Sequence, residues 1–126
     1  MILRKALPYF SLAFVFSCQA QEPDLNYLAL GDSYTIGTAI GEDNSYSSIL
    51  ADSLKKSDGF QKVNYDVVAR NGWTTRDLIE GINSKNLRSG YDLVSILIGV
   101  NNQYQGLRKE EYAKEFEILL RKSIVL

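Results

Sequence analysis

Three residues of this chain have the types and the placement to do acyl chemistry: Ser33, Gly72 and Asn101, each just beyond a run of apolar residues. Attack on an ester carbonyl needs a nucleophile together with hydrogen-bond donors aimed at the oxygen that becomes negative. Ser33 offers a hydroxyl and a backbone amide, Gly72 an amide with no side chain in the way, and Asn101 a side-chain amide. Singly, each has an ordinary explanation as a capping serine, a turn glycine or a loop asparagine. They count as a site only if the fold gathers them.

The elements that would gather them can be read in order. Tyr27-Leu28-Ala29-Leu30 suits a strand buried on both faces, ended by Gly31, with Asp32 and Ser33 just past it. Residues 36–44, with Gly37 and Gly41, read as a loop. Asn44 or Ser45 caps a first helix whose inward face is Tyr46, Ile49, Leu50 and Leu54 and which ends at Ser57-Asp58-Gly59. Residues 63–69 form a second strand, followed by the turn Asn71-Gly72-Trp73. Thr74 with Asp77 then opens a second helix over about 75–87, weakened by Gly81. Residues 93–98 form the third strand, ended by Gly99, and 100–107 an amide-rich loop. A third helix starts near Lys109 with Tyr112, Phe116, Leu119 and Leu120 on one face. Strand and helix alternate, the pattern of a parallel α/β sheet with right-handed crossovers. In such a sheet the loops after the strands emerge on one edge, which is where Ser33, Gly72 and Asn101 would meet. Trp73 and Tyr104 flank that edge and would either pack the loops or stack on a sugar or acyl ligand.

Length and charge narrow the classes. A chain of 126 residues holds one domain at most. Its formal net charge is -1, and removing Arg4 and Lys5 leaves -3 from Cys18 onward, so no basic surface recruits nucleic acid. Cys18 is the single cysteine, which rules out an intramolecular disulfide. Histidine, the usual base for an activated serine, is absent.

Residues 1–20 read as an export signal, with Arg4 and Lys5 as the positive end and 6–16 as an apolar run too short to span a bilayer. Pro8 inside that run and the lack of a polar face argue against a buried helix. Val15-Phe16-Ser17-Cys18 resembles a lipobox, which would end the signal at residue 17, acylate Cys18 and attach the chain to a membrane; Cys18-Gln19-Ala20 would instead suit ordinary cleavage before Gln21. Either route takes the protein out of the cytoplasm, as a periplasmic, membrane-anchored or secreted species. Residues 21–126 are then the functional domain.

Gly31-Asp32-Ser33-Tyr34, the glycine of Ala69-Arg70-Asn71-Gly72-Trp73-Thr74-Thr75, and Gly99-Val100-Asn101-Asn102 resemble, in order, the first three blocks of the SGNH hydrolases, the GDSL-type lipases and esterases. The resemblance runs from about Tyr27 to the end of the chain. It implies a three-layer α/β/α fold with a flavodoxin-like parallel sheet, cut short after about three strands. It also implies Ser33 as nucleophile, an oxyanion hole of Ser33, Gly72 and Asn101, small acyl-ester substrates, and neither metal nor organic cofactor. No specific protein partner follows from it. Asp32, though adjacent to the serine, is not that family's triad acid. The second block has one glycine where many members have two, and Asn102 stands where aspartate is common.

The family's last block, an Asp-x-x-His that provides acid and base, is missing, so the resemblance implies a partial domain with negligible turnover by itself. It also puts the third strand between the first and an absent fourth, leaving an apolar edge that favours association and marginal stability. The competing reading is an exported, non-catalytic protein that binds a carbohydrate or acyl ligand. A nucleotide-binding flavodoxin-like protein is disfavoured, because the first loop holds no dense glycine cradle.

Overall fold

The computed structural model describes residues 22–57 and 59–126. The expected export signal and Cys18 lie outside the described residues. Three strands, β1 (Leu25–Gly31), β2 (Val63–Ala69) and β3 (Leu93–Leu97), form one parallel sheet in the order β2-β1-β3. Leu28 lies opposite Asp66 and Val94, and Gly31 opposite Ala69 and Leu97. Among the described residues five α-helices accompany them: α1 (Ser33–Ile36), α2 (Tyr46–Lys56), α3 (Thr75–Ser84), α4 (Val100–Tyr104) and α5 (Lys109–Val125).

Because side chains of a strand alternate between faces, the continuous apolar run of β1 feeds two cores at once. Leu28 and Leu30 pack with Val68, Leu78, Ile82, Ile98 and Leu119 under α3 and α5. Tyr27 and Ala29 pack on the other side with Ala51 of α2, Leu50, Leu54 and Tyr65. The result is the expected three-layer α/β/α sandwich around a central β1. In the α2 layer the Tyr27 hydroxyl shares a hydrogen bond with Ser95 Oγ at 2.8 Å, and burial pushes that phenol up to about 12.

Several element boundaries differ from the expectation. β1 starts at Leu25 and includes Gly31, because the parallel ladder to β2 carries it past the apolar run at both ends. Of the two candidate caps for α2, Ser45 is the one used, its hydroxyl accepting from the Ser48 amide. The inward face of α2 is rotated away from Ile49, which is 54% exposed, toward Ser47 and Ala51. Ser47 tolerates burial since its hydroxyl donates to Thr35 O at 2.6 Å and accepts from the Tyr65 hydroxyl at 2.8 Å. α3 opens with the expected capping box of Thr74 and Asp77 but stops at Ser84, three residues early. Gly81, read as a weakness in that helix, is where the Trp73 ring seats: a Cβ there would come within 2.3 Å of the ring. On α5 the expected inward Leu120 is exposed, while Glu115 takes a buried place on the inner face. Residues 36–44 and 100–107 are not simple loops, since α1 closes into residue 36, a 3-10 turn spans Glu42–Asn44, and α4 follows β3 directly.

β3 is the outer strand on its side among the described residues, and Leu97 at its end is 45% exposed. No helix among the described residues is long and apolar enough to cross a membrane.

Candidate active site

At the carboxyl end of β1 the backbone passes too close to its neighbours for any side chain. A Cβ on Gly31 would lie 2.0 Å from Thr35 Oγ1 and 2.4 Å from the Leu97 carbonyl oxygen. Asp32 follows, buried, and its Oδ1 accepts the Tyr34 amide at 3.0 Å as the N-cap of α1. That answers the capping question raised by the sequence: Asp32 is the cap, and Ser33, half-exposed as the first residue of α1, keeps its Oγ without a hydrogen-bond partner among the described residues.

Burial raises the Asp32 carboxyl above the ordinary aspartate range, with the amides of Tyr34 and of Asp32 itself pulling in the opposite direction. A carboxyl whose folded-state value is raised contributes stability that is complete below its unfolded value, about 3.9, and is lost as pH rises through the folded one. Asp32→Asn retains a capping oxygen without the ionisation. Its stability relative to wild type, from urea unfolding, is therefore expected to be more favourable at pH 7 than at pH 4.5. Asp32→Ala is expected to lose about 0.5–2 kcal/mol at either pH, because no oxygen remains to accept the Tyr34 amide.

The other two loops are tied to this one by side chains. Thr38, just after α1, donates its hydroxyl to Asn71 Oδ1, next to Gly72. Asn101, in α4, donates its side-chain amide to the Trp73 carbonyl at 2.9 Å, on the far side of Gly72. Gly72 itself sits exposed at φ 78°, a left-handed turn position that favours glycine, with open space where a Cβ would be. Ser33 and Asn101 line one open cavity of about 580 Å³, whose apolar wall includes Tyr34, Ile40, Val100 and Tyr104. Gly72 does not line that cavity; it belongs to the adjoining turn, whose Trp73 carbonyl anchors Asn101.

The two aromatic residues flanking the site part company. Trp73 packs on the α3 side of the sheet, whereas Tyr104 is 90% exposed on the cavity rim, free to meet a ligand. No cluster of three or more metal-ligating side chains occurs among the described residues. The sequence reading missed a buried polar group beside the site: Asn102, Thr75 and Glu115, joined by hydrogen bonds. Glu115 had left a signal, an acid between Tyr112 and Phe116 on the apolar face of α5.

Solved structures share this fold. An SGNH-hydrolase family esterase, AlinE4, superposes with a TM-score of 0.61 at 22% identity over 82% of this chain and 57% of its own. TesA gives 0.67 at 16% identity, with 77% and 53% covered. The psychrotrophic esterase EstA from a Pseudoalteromonas species gives 0.56 at 19%, with 78% and 52% covered. The chain thus spans a little over half the length of these structures. No curated protein matches it. The family model for GDSL-like lipases and acylhydrolases matches residues 29–124, from the middle of β1 to the last turn of α5, and the chain belongs to that family.

Proposed function

We propose that this chain carries the nucleophile and the anion-stabilising amides of a serine ester hydrolase. Ser33 Oγ attacks the carbonyl carbon of an acyl ester, its proton passes to a base, and the carbonyl electron pair moves onto oxygen. The Ser33 amide and the Asn101 side chain receive that oxygen, with the Gly72 amide as a third donor from the adjoining turn once substrate brings the loops together. Collapse expels the alcohol and leaves an acyl-serine, which water then hydrolyses. The observation that carries this reading is that one cavity is lined by both Asn101 and Ser33, whose hydroxyl has no hydrogen-bond partner among the described residues. Asn101 Nδ2 has two hydrogens; Trp73 O takes one, and the second remains for an oxyanion.

These 126 residues contain no histidine, the usual base for an activated serine. With an Asp-x-x-His segment supplied on the same polypeptide, Ser33→Ala is expected to abolish turnover of a short-chain aryl ester. Asn101→Ala is expected to lower kcat by about 10²–10³ with little change in KM, the mark of a donor used in the transition state. Retained turnover in Ser33→Ala would remove the proposal. The apolar wall around Tyr34, Ile40 and Val100 suits the acyl side of esters of carbohydrates, lipids or lysophospholipids. Arg4, Lys5 and the apolar stretch after them support export, so the ester would be met outside the cytoplasm, with the protein free or held by an acylated Cys18. The exposed Tyr104 on the rim favours one second reading, a ligand-binding protein without chemistry; saturable ester binding with no turnover even after a base is supplied would establish it.

A further inference from the structure

Asn101 and Asn102 are successive residues of α4, and both reach the segment that opens α3. Asn101 donates to Trp73 O, while Asn102 engages Thr75 twice: Oδ1 accepts the Thr75 amide at 3.0 Å, and Nδ2 donates to Thr75 Oγ1 at 2.7 Å. A backbone N–H can only donate, so it fixes which end of the Asn102 amide faces it. Nδ2 must then point at Thr75 Oγ1, which accepts, and the single hydroxyl hydrogen goes to Glu115 Oε2 at 2.5 Å. Glu115 is held in turn by Arg76 Nε on Oε1 at 3.0 Å. All three members are buried; the peptide N–H sets the direction of both Asn102–Thr75 hydrogen bonds, and a carboxylate that can only accept sets that of Thr75 to Glu115.

We infer that Glu115, Thr75 and Asn102 form a one-way hydrogen-bond relay that locks α4 to the start of α3 and so positions the Asn101 side chain. The value of that position rests on the function proposed above; the relay itself does not. Its polarity makes a specific demand. Residue 102 must donate to Thr75 because Glu115 has taken the hydroxyl hydrogen. An aspartate at 102 would place two acceptors on one hydrogen in a buried site, which is costly. Replacing Glu115 by glutamine reverses the requirement: its amide donates to Thr75 Oγ1, and the hydroxyl hydrogen turns toward an aspartate at 102.

The test is a thermal-melting cycle combined with the NMR signals of the Asn101 side-chain amide. Asn102→Asp is expected to lower Tm by about 10 °C, and Glu115→Gln by about 5 °C through the lost Arg76 pair. The double variant is expected to melt well above Asn102→Asp alone, so that one substitution changes sign with its background. Asn101 amide signals should move in Asn102→Asp and return in the double variant. In a Thr75→Val background the rescue should vanish, because the hydroxyl is what couples the two sites. A double variant melting as low as the sum of the singles, a rescue that survives Thr75→Val, or Asn101 signals that do not move in a folded Asn102→Asp would overturn the relay. Should Asn102→Asp not fold, the double variant decides: a folded protein with wild-type Asn101 signals supports the relay and an unfolded one overturns it. Ester turnover is not read in this experiment, so failure of Ser33 chemistry would remove the proposed function and leave the relay in place.

Discussion

Assayed alone on a short-chain aryl ester, the 126-residue chain is expected to turn over about four to six orders of magnitude more slowly than the same chain supplied with an Asp-x-x-His segment. A serine hydroxyl is a poor nucleophile at neutral pH, and losing one member of a triad costs about that much in related chemistry, leaving what binding and the oxyanion donors contribute. None of the described residues that line the cavity carries a carboxylate or an amine. Asp32 is the nearest carboxylate in sequence, but it is buried and its Oδ1 is committed to the Tyr34 amide. Steady-state assays of both polypeptides, each beside its Ser33→Ala form, would measure the gap. Cleavage by the 126-residue chain at the rate of the extended one, abolished by Ser33→Ala, would show that the serine is activated without histidine.

The second large effect concerns stability. Gly31→Ala is expected to cost about 3 kcal/mol, at the upper end for overpacking, which corresponds to a fall in Tm of about 10–20 °C for a domain of this size. The added methyl would meet Thr35 Oγ1 at 2.0 Å and Leu97 O at 2.4 Å. The first neighbour can be trimmed, but the second is backbone of β3 and can move only with the ladder that pairs Gly31 with Leu97. Thr35→Ala is therefore expected to recover part of the loss in the double variant, not all of it. Urea unfolding of the two singles and the double would show this. A Gly31→Ala protein within about 0.5 kcal/mol of wild type would mean that the end of β1 is not packed as described.

The same contact explains how the fold serves the site. Gly31 lets the end of β1 lie against the end of β3 and the first turn of α1, so that the chain leaves the sheet directly into Asp32 and Ser33. The edge carrying the candidate residues is thus closed by backbone packing at β1 and by two side-chain ties, Thr38 to Asn71 and Asn101 to Trp73.

Much of this was legible beforehand where a local pattern meets a single physical demand. β1 reads as buried because its residues are apolar at successive positions, and the α3 start because Thr74 and Asp77 stand at capping-box spacing. The parallel sheet follows from alternation, and convergence of the loops after the strands follows from the sheet. Legibility fails where two neighbours compete for one face. Periodicity alone turned Ile49 inward, yet Ser47 won the interior because Thr35 and Tyr65 satisfy its hydroxyl. Gly81 counts against a helix until Trp73, eight positions earlier, is seen to occupy the space. Asn102 reads as a departure at one position, and becomes intelligible only beside Glu115, forty residues from Thr75 in sequence.

By itself the sequence determined the class of fold, the order of its strands and helices, and which residue types the sheet would deliver to one edge, because hydrophobic periodicity and turn chemistry act over a few residues. Only the tertiary structure decided that Asp32 and not Ser33 is the cap, that Ser33 and Asn101 share a cavity while Gly72 stands beside it, and that Glu115 is buried near them. Those outcomes depend on hydrogen bonds and close contacts between residues distant along the chain, and such contacts exist only after the helices have packed on the sheet.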